Sequence, residues 1–275
     1  MSYAHAHWRL ILSAPADGAA NMASDEAILL AVADGAAPPT LRFFAWQPPC
    51  LSLGYSQPQA DVDLDRLQAL GWGLVRRPTG GRAILHTDEL TYSVIAPMSE
   101  PRVRGSVVES YRHLSQGLVR GLDLLGLCAQ ADRTYDLPGR QAQGAVCFET
   151  PSNYEITIDD RKLLGSAQTR KQGVVLQHGT LPLCGDITRI CEVLRFETEE
   201  QRQLARARLA GRATTVEAVR GQGATWLEAA RALAQGFSET LNLTLDEAAL
   251  TEAEMAVAKR LNVEKYASLA WSNKR

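Results

Sequence analysis

Cysteine is scarce in this sequence, aromatics are few and neither charge is in excess, and each shortage removes a class of protein. Five cysteines, at 50, 128, 147, 184 and 191, are scattered over 275 residues. None forms a Cys-x-x-Cys pair, and an odd count without that spacing argues against both a zinc knuckle and a disulfide framework. Lys and Arg number 29 against 31 Asp and Glu, for a formal net charge of −2. A nucleic-acid binder needs a basic surface to displace counterions from phosphates, so the near-neutral balance argues against that class. No apolar run approaches the ~20 residues that span a bilayer. The start, MSYAHAHWRLILSAPADG, has a short apolar stretch with no basic region before it and does not read as a signal peptide. These absences predict a cytoplasmic protein with no nucleic-acid or membrane partner.

What remains is the composition of a folded chain. At 45% hydrophobic and 22% charged residues it can bury a full core. Strand-like runs fall at Trp8–Leu12, Thr40–Trp46, Leu51–Gly54, Gly73–Arg76, Leu90–Ile95 and Val174–Leu183. Tyr154–Ile158 and Lys162–Ala167 predict a hairpin closed at Asp159-Asp160. Helical spacing covers residues 21–33 and 61–70, and Ser106–Leu125 predicts a long amphipathic helix. From Asp186 onward the pattern is almost wholly helical, clearest over Trp226–Leu241 and Asp246–Leu261. The order predicts an α+β fold: a mixed β-sheet core flanked by helices, with a helical C-terminal part. One unit over 1–275 is expected, its core at about 8–185 and its helical part at about 186–275.

Three motifs carry candidate chemistry. The first is Arg76-Arg77-Pro78-Thr79-Gly80-Gly81-Arg82, running on to His86. Glycines let a backbone approach a ligand and aim N–H groups at it, and arginines add fixed donors. The same letters also fit a plain hairpin turn flanked by solvated arginines, and His86 fits a hydrogen-bonded structural histidine. The second is Lys162-Leu163-Leu164-Gly165-Ser166-Ala167-Gln168, where a small-residue strand invites close approach. A lysine there can lower the pKa of a thiol or hold a developing oxyanion, unless it simply faces solvent. The third, Gln177-His178-Gly179-Thr180, is weak alone. Cys147 adds a question, because its segment turns polar at once (Glu149-Thr150-Pro151-Ser152), whereas a free cysteine is usually a small buried hydrophobe.

In this order and spacing the three motifs resemble the catalytic domain of the biotin/lipoate protein ligases. NMASDEA near the start, CFETPSNYEI before the lysine motif and KYASLAWSNKR at the end are similar to a narrower group. That group is the bacterial octanoyltransferases that act on the glycine-cleavage H protein in lipoate synthesis. The likeness runs from Trp8 to Arg275. It implies Cys147 as the acyl-thioester nucleophile and Lys162 as the lysine that depresses its pKa. Arg76, Gly80, Gly81, His86, Gly165, Ser166 and Ala167, with His178, would then form the walls and mouth of an acyl slot. Arg77 and Arg82 would instead meet an acidic carrier.

The implied cycle takes octanoyl from octanoyl-acyl carrier protein onto Cys147 and then onto a lysine of the H protein or another lipoyl domain. It needs no cofactor and no metal ion, and the family likeness implies a monomer. Two enzymatic alternatives share the fold. One is an ATP-dependent lipoate–protein ligase, many of which read Gly-Gly-Gly where this chain has Gly80-Gly81-Arg82. The other is an amidotransferase moving octanoyl or lipoyl groups between lipoyl domains. A non-catalytic binding module is a third reading, against which stand Cys147 and Lys162 themselves. Among the other cysteines, Cys50, Cys128 and Cys191 read as structural. Cys184, in Leu183-Cys184-Gly185, is the rival nucleophile.

Overall fold

The computed structural model describes residues 3–131 and 155–273. In chain order the strands begin with β1 (Ala6–Leu12), β2 (Thr40–Phe44), β3 (Cys50–Leu53), β4 (Gly73–Arg76), β5 (Ile84–His86) and β6 (Glu89–Pro97). They continue with β7 (Gln130–Ala131), β8 (Glu155–Ile158), β9 (Arg161–Lys171), β10 (Val174–Pro182) and β11 (Leu243–Glu247). The helices are α1 (Gly18–Ala33), α2 (Leu64–Ala69), α3 (Val107–Leu124), α4 (Glu199–Arg212), α5 (Val216–Arg220), α6 (Trp226–Leu241), α7 (Glu252–Leu261) and α8 (Leu269–Ser272).

An eight-stranded sheet runs in the order β11-β1-β2-β6-β10-β9-β8-β7, and a three-stranded sheet in the order β4-β3-β5. β1 pairs in parallel with both β11 and β2, and the rest of the large sheet is antiparallel. The sheet is therefore mixed and flanked by helices, as the α+β reading expects. Local chemistry explains many boundaries. Ser106 with Glu109, Thr225 with Glu228 and Thr251 with Glu254 form capping boxes at α3, α6 and α7. Asp159 and Asp160 both take positive φ in the β8–β9 turn, as a two-residue hairpin loop requires.

One expectation fails. The helix read over Asp246–Leu261 is two elements, because Leu243–Glu247 is a strand and the helix starts at Glu252, after its Thr251 cap. That strand lies beside β1, with Ala6 opposite Leu243 and Leu10 opposite Glu247. The C-terminal part is thus not purely helical; its one described strand forms the sheet edge. A partner remote in sequence decided the conformation, which local periodicity cannot report.

Side chains alternate across a strand, so the large sheet has two distinct faces. Leu41, Phe43, Leu90, Tyr92, Val94 and Val175 pack on Leu114, Leu118 and Leu122 of α3 and on Leu233 and Phe237 of α6. The other face meets α1, through Ile28, Leu29 and Val32 against Ile95, Val174 and Leu176. The small sheet builds its own cluster, Leu51 and Leu53 with Val62, Ile190, Leu194 and Leu209. No helix among the described residues is long and apolar enough to cross a membrane.

The α3–α6 contact depends on glycine. A Cβ on Gly236 would lie 2.3 Å from the Gly117 oxygen and 2.3 Å from the Gly121 nitrogen. Helix propensity alone would favour Gly236→Ala by about 1 kcal/mol. Overpacking against unyielding backbone opposes it and costs about 1–3 kcal/mol. The expected outcome of Gly236→Ala is a lower denaturation midpoint with an unchanged m-value; a raised midpoint would contradict this packing.

Candidate functional site

The register of β10 gathers the site. His178 lies between Ser93 of β6 and Ala167 of β9, and Thr180 between Thr91 and Gly165. These six residues share the face turned to α1, where a cavity of about 250 Å³ opens between the large and small sheets. Met22 of α1 and Trp46 line one side with Thr91, residues 165–168 and residues 178–180 of the large sheet; Ser52, Ile84 and the glycine loop line the other. Of the residues expected to bind substrate, Gly80, Gly81, His86, Gly165, Ser166, Ala167 and His178 all border this cavity.

The glycine loop is no hairpin turn. β4 pairs in parallel and β5 antiparallel with β3 between them, so the loop crosses the end of β3. A Cβ on Gly54 would fall 1.9 Å from the Gly81 oxygen, and Gly81 itself has φ +94°. Two glycines are needed where these backbones touch, one for space and one for conformation.

Neither of the two arginines takes its expected role. Arg77, assigned from sequence to a carrier surface, is buried and lines the cavity. It donates to the Ser52 carbonyl and hydroxyl and to the Gly80 and Arg82 carbonyls, and so shapes the loop from inside. Arg76, expected on the slot wall, is not among the cavity-lining residues. Its guanidinium donates to the carbonyls of Gly54, Tyr55 and Gln57, and to those of Trp271 and Ser272 in the C-terminal segment. Neighbours on a strand point to opposite faces, so only one of this pair could reach the cavity.

His86 is held on three sides. It stacks on Trp46 at 3.9 Å, shares a hydrogen bond of 2.6 Å with Glu89 through Nδ1 and another of 2.7 Å with Ser52 through Nε2. The Thr91 hydroxyl donates to the same Glu89 oxygen, and Trp46 Nε1 donates to Thr91. His178 shares a 2.6 Å hydrogen bond with Thr79 Oγ1 through Nε2, while its Nδ1 stands 3.6 Å from Asp25 Oδ2. That separation is too long for a hydrogen bond. Burial pushes His178 below the ordinary imidazole range, with Asp25 opposing. For Asp25, burial alone would raise the pKa. Arg42 beside it, with His178, outweighs burial and holds the carboxyl below its usual range. Arg42 Nη1 donates to Asp25 Oδ1 at 2.7 Å, and the Ser93 hydroxyl donates to the same oxygen.

Lys162 is buried, and its Nζ donates to Glu155 Oε1 at 2.8 Å. A β-bulge between Ile156 and Thr157 puts Lys162, Glu155 and Gly165 together, and a Cβ on Gly165 would lie 2.6 Å from Lys162 Cε and 3.0 Å from Nζ. The small residue of the GSA strand is there because the lysine stem crosses it. Lys162 is not itself on the cavity wall but reaches its Gly165 end. Cys147 lies outside the described residues. Cys50 and Cys191 are buried as expected, whereas Cys128 is exposed. Burial, with the carboxylates of Asp88 and Glu217, raises the pKa of the rival Cys184, the opposite of nucleophile activation. Asp25, Thr79, Glu89 and Glu155 had been given no role from sequence. Three of them sit inside quoted motifs, NMASDEA, RRPTGG and SNYEI, where they are visible as letters without partners.

Arg42→Met tests the buried pair. Stranding Asp25 costs about 3–5 kcal/mol near neutral pH. Asp25 is depressed in the native protein, so its contribution is present above the unfolded carboxyl pKa, near 3.9, and lost as pH falls through the folded value. In the variant, burial without Arg42 raises the same pKa, so acid protonates and relieves it. The deficit against the parent, read by denaturant melts, is expected to narrow as the pH is lowered from 7 towards 4; a deficit independent of pH would refute the pairing.

Comparison with known proteins places the chain. A protein named octanoyltransferase LipM from Kyrpidia tusciae is 44% identical over 270 residues, covering 96% of this chain and 98% of that one. One of the same name from Symbiobacterium thermophilum is 42% identical, covering 97% and 98%. Among solved structures, a bi-partite lipoate protein ligase from Thermoplasma acidophilum superposes with a TM-score of 0.81 at 27% identity, covering 98% of this chain and 97% of that one. The protein is an enzyme of the acyltransferase class. With residues 17–238 matched by the family model of the lipoyl protein ligase A/B catalytic domain, the chain belongs to that family.

Proposed function

We propose that this protein is an octanoyltransferase. It takes an octanoyl group from octanoyl-acyl carrier protein onto Cys147 as a thioester and passes it to a lysine amine of the glycine-cleavage H protein. The observation that carries the reading is the Lys162–Glu155 pair, buried at the Gly165 end of a cavity of mixed apolar and polar lining. The relatives named octanoyltransferase and the motif CFETPS, eight positions before Glu155 at Cys147, agree with it.

The chemistry needs a thiolate, since an ordinary cysteine of pKa ~8.5 is only a few per cent ionised at neutral pH. A fixed ammonium such as Lys162 raises that fraction and offers a donor to the oxyanion. Glu155 keeps the long lysine chain in one place. Attack of the Cys147 thiolate on the donor thioester forms octanoyl-Cys147 and expels the carrier thiolate, which takes up a proton. Attack of a neutral acceptor amine then forms the amide, Cys147 leaves as thiolate, and the proton lost by the nitrogen passes to solvent, balancing the one taken up by the carrier thiolate. An amide is more stable than a thioester, so the sequence runs without ATP.

The test is intact mass spectrometry after incubation with octanoyl-acyl carrier protein and no ATP. An octanoyl adduct is expected that hydroxylamine removes and that Cys147→Ala abolishes. Lys162→Met combined with Glu155→Gln, which strands no buried carboxylate, is expected to slow transfer by roughly 10²-fold. No adduct, together with labelling of the H protein that requires ATP and free lipoate, would overturn the reading in favour of a ligase.

A further inference from the structure

A second cavity, of about 330 Å³, lies directly behind the first. Four separate chain elements pass from one to the other within a few residues. On β9, Ala167 faces the first cavity and Thr169 the second; on β10, His178 faces the first and Leu176 the second. On the glycine loop, Arg77 and Gly80 line the first and Pro78 the second; on α1, Met22 lines the first, and Glu26, one turn on, the second. The layer between holds Thr79, 0% exposed, bonded at 2.6 Å to His178, 6% exposed, with Asp25 behind the ring. This layer stands at the end of the first cavity away from Lys162, because Gly165, Ala167 and Thr169 succeed one another along β9.

We propose that the Thr79–His178 bridge is the gauge of acyl-chain length, closing the slot behind an octanoyl group and keeping longer chains out of the second cavity. The inference rests on the acyltransferase reading of the first cavity. An extended chain enters with its reacting carbonyl at the Lys162 end and its terminal methyl against the bridge. Each further buried methylene favours binding by roughly fourfold. To advance, the chain must break a buried hydrogen bond and leave both partners unsatisfied, which weakens binding by roughly thirtyfold or more. Two extra methylenes gain roughly sixteenfold, less than that cost, so the buried polar bridge is an effective stop. Thr79 and His178 here are specificity-determining positions and take no part in bond making.

The measurement is the ratio of kcat/KM for decanoyl-acyl carrier protein, two methylenes longer, to that for the octanoyl donor. The parent protein is expected to favour octanoyl strongly. Thr79→Ala, and independently His178→Asn, are expected to raise the ratio about tenfold or more, drawing on the roughly fourfold gain per methylene. Thr79→Ser, which keeps the hydroxyl, retains the parental ratio. Thr169→Phe, which fills the second cavity, cancels the gain when added to Thr79→Ala. A parent that uses both donors equally, a parental ratio in Thr79→Ala and His178→Asn, or a gain that survives Thr169→Phe would each overturn the gauge. A parent with no octanoyl transfer at all would instead overturn the functional reading, so the two failures are told apart.

Discussion

The carboxylate of Asp25 is fully enclosed, and the working face of the protein is arranged around neutralising it. A buried charge is tolerated only with a close counter-charge and hydrogen bonds to its remaining lone pairs. Arg42 from β2 supplies the counter-charge and Ser93 from β6 a second bond, both at Oδ1, and His178 from β10 stands 3.6 Å from Oδ2. Three neighbouring strands are thereby tied to one turn of α1. Asn21, one turn earlier, accepts from Arg42 and donates to the carbonyls of Ala16 and Ala45, which fixes the rotation of the helix. Through His178 the same set reaches Thr79, and so the position of the glycine loop depends on a charge carried by α1.

A second anchor lies one residue on. Glu26 accepts from Lys171 at the end of β9 and from Lys265 and Tyr266 of the C-terminal segment. Arg76 binds the carbonyls of that segment, and Trp271 returns a bond to the Arg76 carbonyl. The closing stretch of sequence is thus a brace between α1 and the loop that shapes the cavity, rather than a free tail.

Much of this was legible in the sequence. Alternating residues in GSAQTR and QHGT, once on paired strands, had to present Gly165, Ala167, His178 and Thr180 to one side. Gly80-Gly81 marked a loop but fitted a plain hairpin turn as well as a ligand-binding loop, and the family resemblance pointed to the second. What sequence could not decide was direction. Arg76 and Arg77 differ by one position and therefore by a whole face, and no local pattern says which face is inward. α1 hid its polar anchors because it is buried nearly all round, so that Asn21, Asp25 and Glu26 leave no amphipathic stripe to read. β11 was misread for a different reason. Its five residues carry no decisive periodicity, and its partner is the first strand of the chain.

That pairing has a bearing on how the chain is made. β1 carries the apolar run Trp8 to Leu12 and is flanked in the finished sheet by β2 on one side and β11 on the other. During vectorial synthesis β2 emerges early, but β11 emerges only after nearly the whole chain. At ribosomal speeds of about 5–20 residues per second the outer edge of β1 waits unpaired for roughly ten seconds or more. An open apolar strand edge is a template for pairing with other chains. Until β11 docks, the nascent protein therefore carries an uncovered apolar edge at β1.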